Sequence, residues 1–254
     1  MDKQNELFGK RFWDEPPSWN CPKCFSGTLT LEENGLKTCE HGWSSEGHKH
    51  EAWEPEWISG SFYWVLRCSI GKCAQRVVVA GEYVVDWDIE DTDHGPEQVY
   101  KDFFEPKGFS EAPPVFEIQN YYPEEVAKHL RGAFAMLWVD PASCLNRLRQ
   151  CIEDILTIEK IPRFSTNNGR RTALTLHSRI EKYRSSNRDA AEFLMALKWL
   201  GNDGSHSGKK LAKIERVHLL EAFEIMEMSL EKIFSSKNDR VRKRAKRINK
   251  KKGL

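Results

Sequence analysis

Cys21-Pro22-Lys23-Cys24, answered well downstream by Cys68-Ser69-Ile70-Gly71-Lys72-Cys73, decides how the first third of the chain folds. A two-residue spacing lets both thiolates of the first pair turn toward one ion, and the four-residue spacing of the second pair stays within the usual range. Four thiolates complete a tetrahedral zinc shell and leave no open position, so the pattern predicts one structural Zn held by Cys21, Cys24, Cys68 and Cys73. The chain has seven Cys, an odd count that suits metal binding in a reducing compartment better than a disulfide framework. A competing assignment stays open, because Cys39 and His41, with His48 and His50 nearby, could also supply ligands. Cys144 and Cys151 fall on the apolar side of a predicted helix and read as core.

Working outward from the cysteines, the first 90 or so residues read as β structure. Thr28-Leu29-Thr30-Leu31 alternates, and Asn34-Gly35 predicts a tight hairpin turn before Leu36. Phe62–Leu66 reads as a strand running into Cys68. Val77–Val79 and Tyr83–Val85 flank Gly81-Glu82, which predicts a second hairpin. Two knuckles carried by hairpins describe a zinc ribbon, a unit too small to fold well without its ion. Seven of the nine Trp precede residue 90 and read chiefly as its core. Asp86, Asp88, Glu90, Asp91 and Asp93 suggest a Mg²⁺ site only weakly, and a solvated strand end is the better reading. Between about 91 and 120 the chain is rich in Pro and Gly and reads as irregular.

From Pro123 the apolar period becomes helical. Glu124 and Glu125 sit in a first turn ahead of Val126, Leu130, Ala133, Phe134 and Leu137. Asp140-Pro141 supplies an N-cap and a first-turn proline for a second helix carrying Leu145, Leu148, Ile152 and Ile155. Further helices are expected over Thr172–Arg184, Asp189–Leu200 and from near Leu211, the last bearing Leu219, Phe223, Met226, Leu230 and Ile233. Short connections between such helices imply an antiparallel bundle.

The bulk composition excludes several classes. At 39% hydrophobic and 30% charged the chain is globular, and no run approaches the ~18 apolar residues of a membrane span. Met1–Glu6 lacks the basic and apolar regions of a signal peptide, so a cytoplasmic protein with no membrane partner is expected. Phosphate loop, nucleophile elbow and dinucleotide fingerprint are all missing. The net charge of +1 hides an asymmetry, because residues 237–254 carry ten cations against Asp239 alone. The rest of the chain is then −8. Arg240, Arg242, Lys243, Arg244, Lys246, Arg247, Lys250 and Lys251 form a run suited to a nucleic-acid backbone through counterion release.

Two polar patterns interrupt the bundle: Leu148-Arg149-Gln150-Cys151-Ile152-Glu153, and the predicted break Gly201-Asn202-Asp203-Gly204-Ser205-His206. With the cysteine ribbon and the Tyr122-Pro123 start of the helices, they resemble the bacterial family called domain of unknown function 4145 over roughly residues 120–235. That family is grouped with the HEPN superfamily of small helical domains, many of them RNA-cleaving toxins or antiviral effectors. The resemblance implies metal-independent RNA cleavage, in which an Arg, a polar residue and three further positions precede a His. The His acts as acid or base on the ribose hydroxyl and the Arg stabilises phosphate charge. Asn202 and His206 match, but Gly201 stands at the Arg position and offers no cation. Lys198 one turn earlier, or Arg149 beside Glu153, would have to supply the charge. The resemblance further implies a homodimer and a protein partner within a defence or restriction system.

The expected protein is therefore α+β: a zinc ribbon over 1–95, a connecting segment over 96–121, an antiparallel HEPN-like helical bundle over 122–236 and a basic tail over 237–254. Its expected role is a catalytically impaired nucleic-acid- and partner-binding component of an antiviral defence or restriction system. The alternative is a ribonuclease using His206.

Overall fold

A computed structural model describes residues 2–9, 14–92, 95–167, 170–203 and 215–251, with backbone alone for 2–3, 167, 202–203, 236–240, 242–243 and 251. The chain is α+β, with an antiparallel sheet first and helices after it. It divides into two compact units, Asp2–Pro114 and Val115–Leu254.

The first unit opens with α1 (Asp2–Phe8) and continues with β1 (Leu29–Glu40), α2 (Gly42–Gly47) and a 3₁₀ turn over Pro55–Trp57. β2 (Ser59–Cys68), β3 (Arg76–Thr92) and β4 (Gly95–Phe109) complete a sheet in the order β1-β2-β3-β4, every pair antiparallel. The alternation of β2 sets which face is buried: Phe62, Trp64, Leu66 and Cys68 point inward while Tyr63 and Arg67 point out. Phe62, Trp64 and Phe104 form a ring cluster with centroids 4.7–5.2 Å apart, and Trp19 joins it edge-on to Phe109 at 5.2 Å. Trp19 is fully buried and donates its indole N–H to Leu7 O at 2.6 Å, so α1 is tied to this core.

Both predicted hairpin turns are bulges instead. Asn34 does adopt a positive φ (58°), but β1 runs straight through it: Leu31 pairs with Leu66 and Leu36 with Trp64, leaving 32–35 bulged out. Gly81 likewise lies inside β3, where the register with β4 slips between Ala80 and Gly81. A Cβ there would strike Glu105 O and come within 2.8 Å of the Phe62 ring, so the position requires glycine for close approach. The segment expected to be irregular from 96 onward is, through Phe109, the edge strand β4. Edge position is why it tolerates Pro96 and Pro106.

The second unit holds α3 (Glu124–Val139), α4 (Pro141–Ile158), a hairpin of β5 (Phe164–Asn167) and β6 (Arg170–Ala173), α5 (Leu176–Arg184) and α6 (Arg188–Asp203). α7 (Arg216–Leu230) passes through a π-helical turn at Glu231–Ser235 into α8 (Ser236–Lys251). Asp140 alone joins α3 to α4. Its carboxylate accepts the Ala142 N–H at 3.0 Å and Pro141 fills the first helical position, as read from the sequence. Contacts of Gly132 with Arg147, His129 with Asp154 and Val126 with Cys151 run in opposite senses along α3 and α4, so the two are antiparallel. α4 is the central helix, packing on α3, α5, α6 and α7. Its Leu145, Leu148, Ile152, Ile155 and Leu156 are all buried, each contributing roughly 1.5–3 kcal/mol.

The helix expected from Thr172 starts at Leu176, because residues 170–173 pair with 164–167 as a short hairpin. Thr175 caps α5, accepting the Ser178 N–H at 3.1 Å. Buried Arg179 on α5 closes the C-terminal end of α4. It donates to Glu153 O (3.2 Å), Thr157 Oγ1 (3.0 Å) and Ile161 O (3.2 Å). The helix expected to stop at Leu200 runs on to Asp203. Among the described residues no helix is long and apolar enough to cross a membrane.

Candidate metal centre and helical site

Cys21, Cys24, Cys68 and Cys73 come together with every sulfur within 4.8 Å of the others. Cys21 and Cys73 Sγ are 3.8 Å apart, and Cys24 and Cys68 Sγ are 3.6 Å apart. A tetrahedron with metal–sulfur bonds of about 2.3 Å has edges of about 3.8 Å, so these thiols are spaced for one tetrahedral ion.

The two halves of the site are built alike. In each, the N–H of the first Cys closes a turn onto a downstream carbonyl: Cys21 to Gly27 O at 2.7 Å, Cys68 to Gln75 O at 2.8 Å. The residue after the second Cys takes a positive φ, Phe25 at 56° and Ala74 at 45°. Holding non-glycine residues there costs of order 1 kcal/mol or more, which the surrounding site must offset. Ser69 stitches the halves together, donating its N–H to Thr28 O at 2.9 Å and accepting the Thr28 N–H on Oγ at 3.1 Å. Ile70 N–H points at Cys68 Sγ from 3.4 Å. Burial pushes the Cys21 thiol up to about 12 and raises Cys68, whereas the Gly27 N–H draws Cys24 down to about 7. Buried thiols in this state bind a proton tightly; a dication seated among them would displace it.

Gly27 is part of the site and was not singled out from the sequence. A Cβ on it would lie 2.5 Å from Cys68 Sγ and 3.2 Å from Ile70 Cγ1. Its signal is a glycine just after the first Cys pair. The competing ligands stay apart from the cluster. Cys39 is exposed opposite Ser61, His41 stacks on Trp43, His48 meets Glu40 at 2.9 Å and His50 packs on Trp57. Cys144 and Cys151 are buried, and burial pushes both thiols up. Of the acidic residues considered for Mg²⁺, Asp86, Asp88, Glu90 and Asp91 lie along β3, where Lys101 bridges Asp88 at 3.2 Å and Glu90 at 2.8 Å, and Asp93 lies outside the described residues.

In the helical unit, Arg149 meets Glu153 one turn on at 3.7 Å. Lys198 sits over the Trp199 ring at 3.2 Å. Gly201 is buried against α4, and a Cβ on it would rest 4.0 Å from Arg149 Cβ and 3.9 Å from Leu145 O. Asn202 falls in the last turn of α6, and His206 lies outside the described residues. Residues 237–251 of the basic segment lie on the helix α8, on which Arg244, Lys246, Arg247 and Lys250 are exposed. Arg240, Arg242, Lys243 and Lys251 are on the same helix, their side chains outside the described set.

A family model described as Domain of unknown function (DUF8608) matches residues 11–109, which include all four clustered cysteines. A second, described as Domain of unknown function (DUF4145), matches residues 131–251 and so extends through α8. No curated protein and no solved structure matches the chain. The chain is thus similar to two families in succession, one along the sheet unit and the other along the helices.

Proposed function

We propose that the protein is a nucleic-acid-binding component whose sheet unit is fastened by one structural zinc and whose helical unit presents a basic helix to phosphate backbones. The observation that carries this reading is α8. Sixteen residues of helix hold nine cations against Asp239 alone in a chain that is −7 elsewhere, and those whose side chains are described are exposed. Contacts of this kind follow the backbone charge and read little sequence. A homodimer, a HEPN-like bundle, a cytoplasmic location and a protein partner in a bacterial defence or restriction system complete the proposal. They rest on the resemblance of the helical unit. Binding of labelled RNA and DNA measured across a salt series tests it, with a chain truncated before Asp239 as control. Affinity that does not fall with salt, or that survives truncation, sinks the reading.

A second reading, a metal-independent ribonuclease using His206, draws support from one contact. A Cβ on Gly201, which lacks the cation of the family pattern, would lie 4.0 Å from Arg149 Cβ on α4, so the two helices pass close together here. A guanidinium from the neighbouring helix would then replace the one missing from α6. Cleavage of RNA that is lost in both H206A and R149A would select this reading; RNA left intact by the purified protein removes it.

A further inference from the structure

The connection between β1 and β2 builds a pocket that neither the metal centre nor the basic helix uses. Ser44 on α2 is buried; its hydroxyl donates to Glu40 Oε1 at 2.6 Å and accepts the Ser59 N–H at 3.1 Å. Ser44 also meets Trp57 O at 3.2 Å, so one side chain fastens α2, the 3₁₀ turn and the start of β2 together. These elements surround a cavity of about 330 Å³, large enough for a small head group.

The lining is chemically selective. Trp43 and Trp57 border the cavity, 67% and 44% exposed, and a His ring packs on each: His41 at 5.9 Å and His50 at 5.5 Å. Ile58 and Val84 add apolar surface. Two polar atoms of lining residues, Glu56 Oε2 and Ser59 Oγ, are buried and make no hydrogen bond among the described residues. The Glu56 carboxyl already meets the Tyr100 hydroxyl, and its remaining buried oxygen is complemented by a further donor or a cation. Residues 40–59 carry five carboxylates against Lys49 alone, a field that repels phosphate and draws positive charge. Indole faces favour a weakly hydrated organic cation over a metal ion, which needs several oxygen or nitrogen ligands.

We propose that this pocket binds a methylated ammonium head group between Trp43 and Trp57, with Glu56 as its counter-ion. Free quaternary amines and methylated lysine side chains carry the same chemistry. The test titrates the full chain with choline chloride, with a trimethyl-lysine peptide and its unmethylated counterpart, and with 3,3-dimethylbutanol, the uncharged isostere of choline. Tryptophan fluorescence and indole N–H resonances give the readout. Saturable binding of choline or the methylated peptide is expected, at least about tenfold tighter than the isostere or the unmethylated peptide. Tighter binding of the peptide assigns the cation to a protein; equal binding assigns it to a free amine.

E56Q, which keeps the shape of the side chain, and W43A, which truncates an exposed ring, should each weaken binding about tenfold without changing the melting temperature. Binding that fails to saturate overturns the proposal. So does equal affinity for the uncharged isostere, an unchanged E56Q, or preference for AMP or GMP at these indoles.

Discussion

Replacing Gly27 with Ala tests the metal centre more sharply than removing a ligand, because it leaves all four thiols in place. The added Cβ would lie 2.5 Å from Cys68 Sγ, whereas non-bonded atoms of this size settle at about 3.5–4 Å. The sulfur must therefore retreat by about 1 Å, several times the ~0.2 Å that metal–ligand distances tolerate. Ile70 Cγ1, at 3.2 Å, closes off part of the escape route. Neighbours that orient ligands typically alter affinity 10–100-fold, and direct displacement of a ligand belongs at the upper end. A 100-fold loss corresponds to about 2.8 kcal/mol.

Competition with a chromophoric zinc chelator gives the affinity, and thermal melts with and without metal separate cause from consequence. G27A should melt well below the wild type when both are loaded, and the gap should shrink once both are stripped. Undiminished zinc affinity would refute the reasoning. So would an equal gap in the stripped proteins, which would mean that the glycine serves the chain alone.

R179M should cost about 2–4 kcal/mol in urea unfolding, since it removes the donors to Glu153 O, Thr157 Oγ1 and Ile161 O at the end of α4; a change under about 0.5 kcal/mol would show that water replaces them. D140A should remove about 1 kcal/mol through loss of the α4 cap. The Ser143 hydroxyl, and the N–H groups behind it, hold the Asp140 carboxyl below the ordinary carboxylate value. Its contribution is therefore complete above the unfolded value of about 3.9 and is lost as pH falls through the lower folded one. The D140A deficit should shrink in acid, and a deficit that persists there contradicts this origin. R244A/K246A/R247A should lower the salt slope of nucleic-acid binding by about 2–3, and an unaltered slope would place the phosphate contacts elsewhere.

What could be read in advance divides along physical lines. Cysteine spacing reports local ligand geometry, so Cys21, Cys24, Cys68 and Cys73 were identifiable as a set before any fold was known. Helical stripes repeat over four or five turns, and Leu130, Leu148, Phe223 and Met226 were legible as core for that reason. Asn34-Gly35 and Gly81-Glu82 misled because a positive φ or a missing Cβ serves a bulge as well as a turn. Which one forms depends on whether a partner strand lies alongside, and β2 and β4 are far away in sequence. The prolines of β4 hid a strand because their tolerance depends on its place at the sheet edge. Gly201 read as a helix stop, but the chain stays helical past it and the residue packs instead against α4.

The crowding of cations on α8 bears on how that helix folds as well as on what it binds. Arg240 and Arg244, Arg242 and Lys246, Lys243 and Arg247, Lys246 and Lys250, and Arg247 and Lys251 are like-charged pairs four residues apart. Each opposes helix formation by about 0.2–0.5 kcal/mol, so the set imposes roughly 1–2.5 kcal/mol of self-repulsion on a single segment. A polyanion relieves that repulsion as it binds, which makes helix formation and charge neutralisation one linked equilibrium. Added salt then acts with opposite signs, firming the free helix while weakening its grip on a phosphate chain. Helicity and affinity should move in opposite directions along the same salt titration.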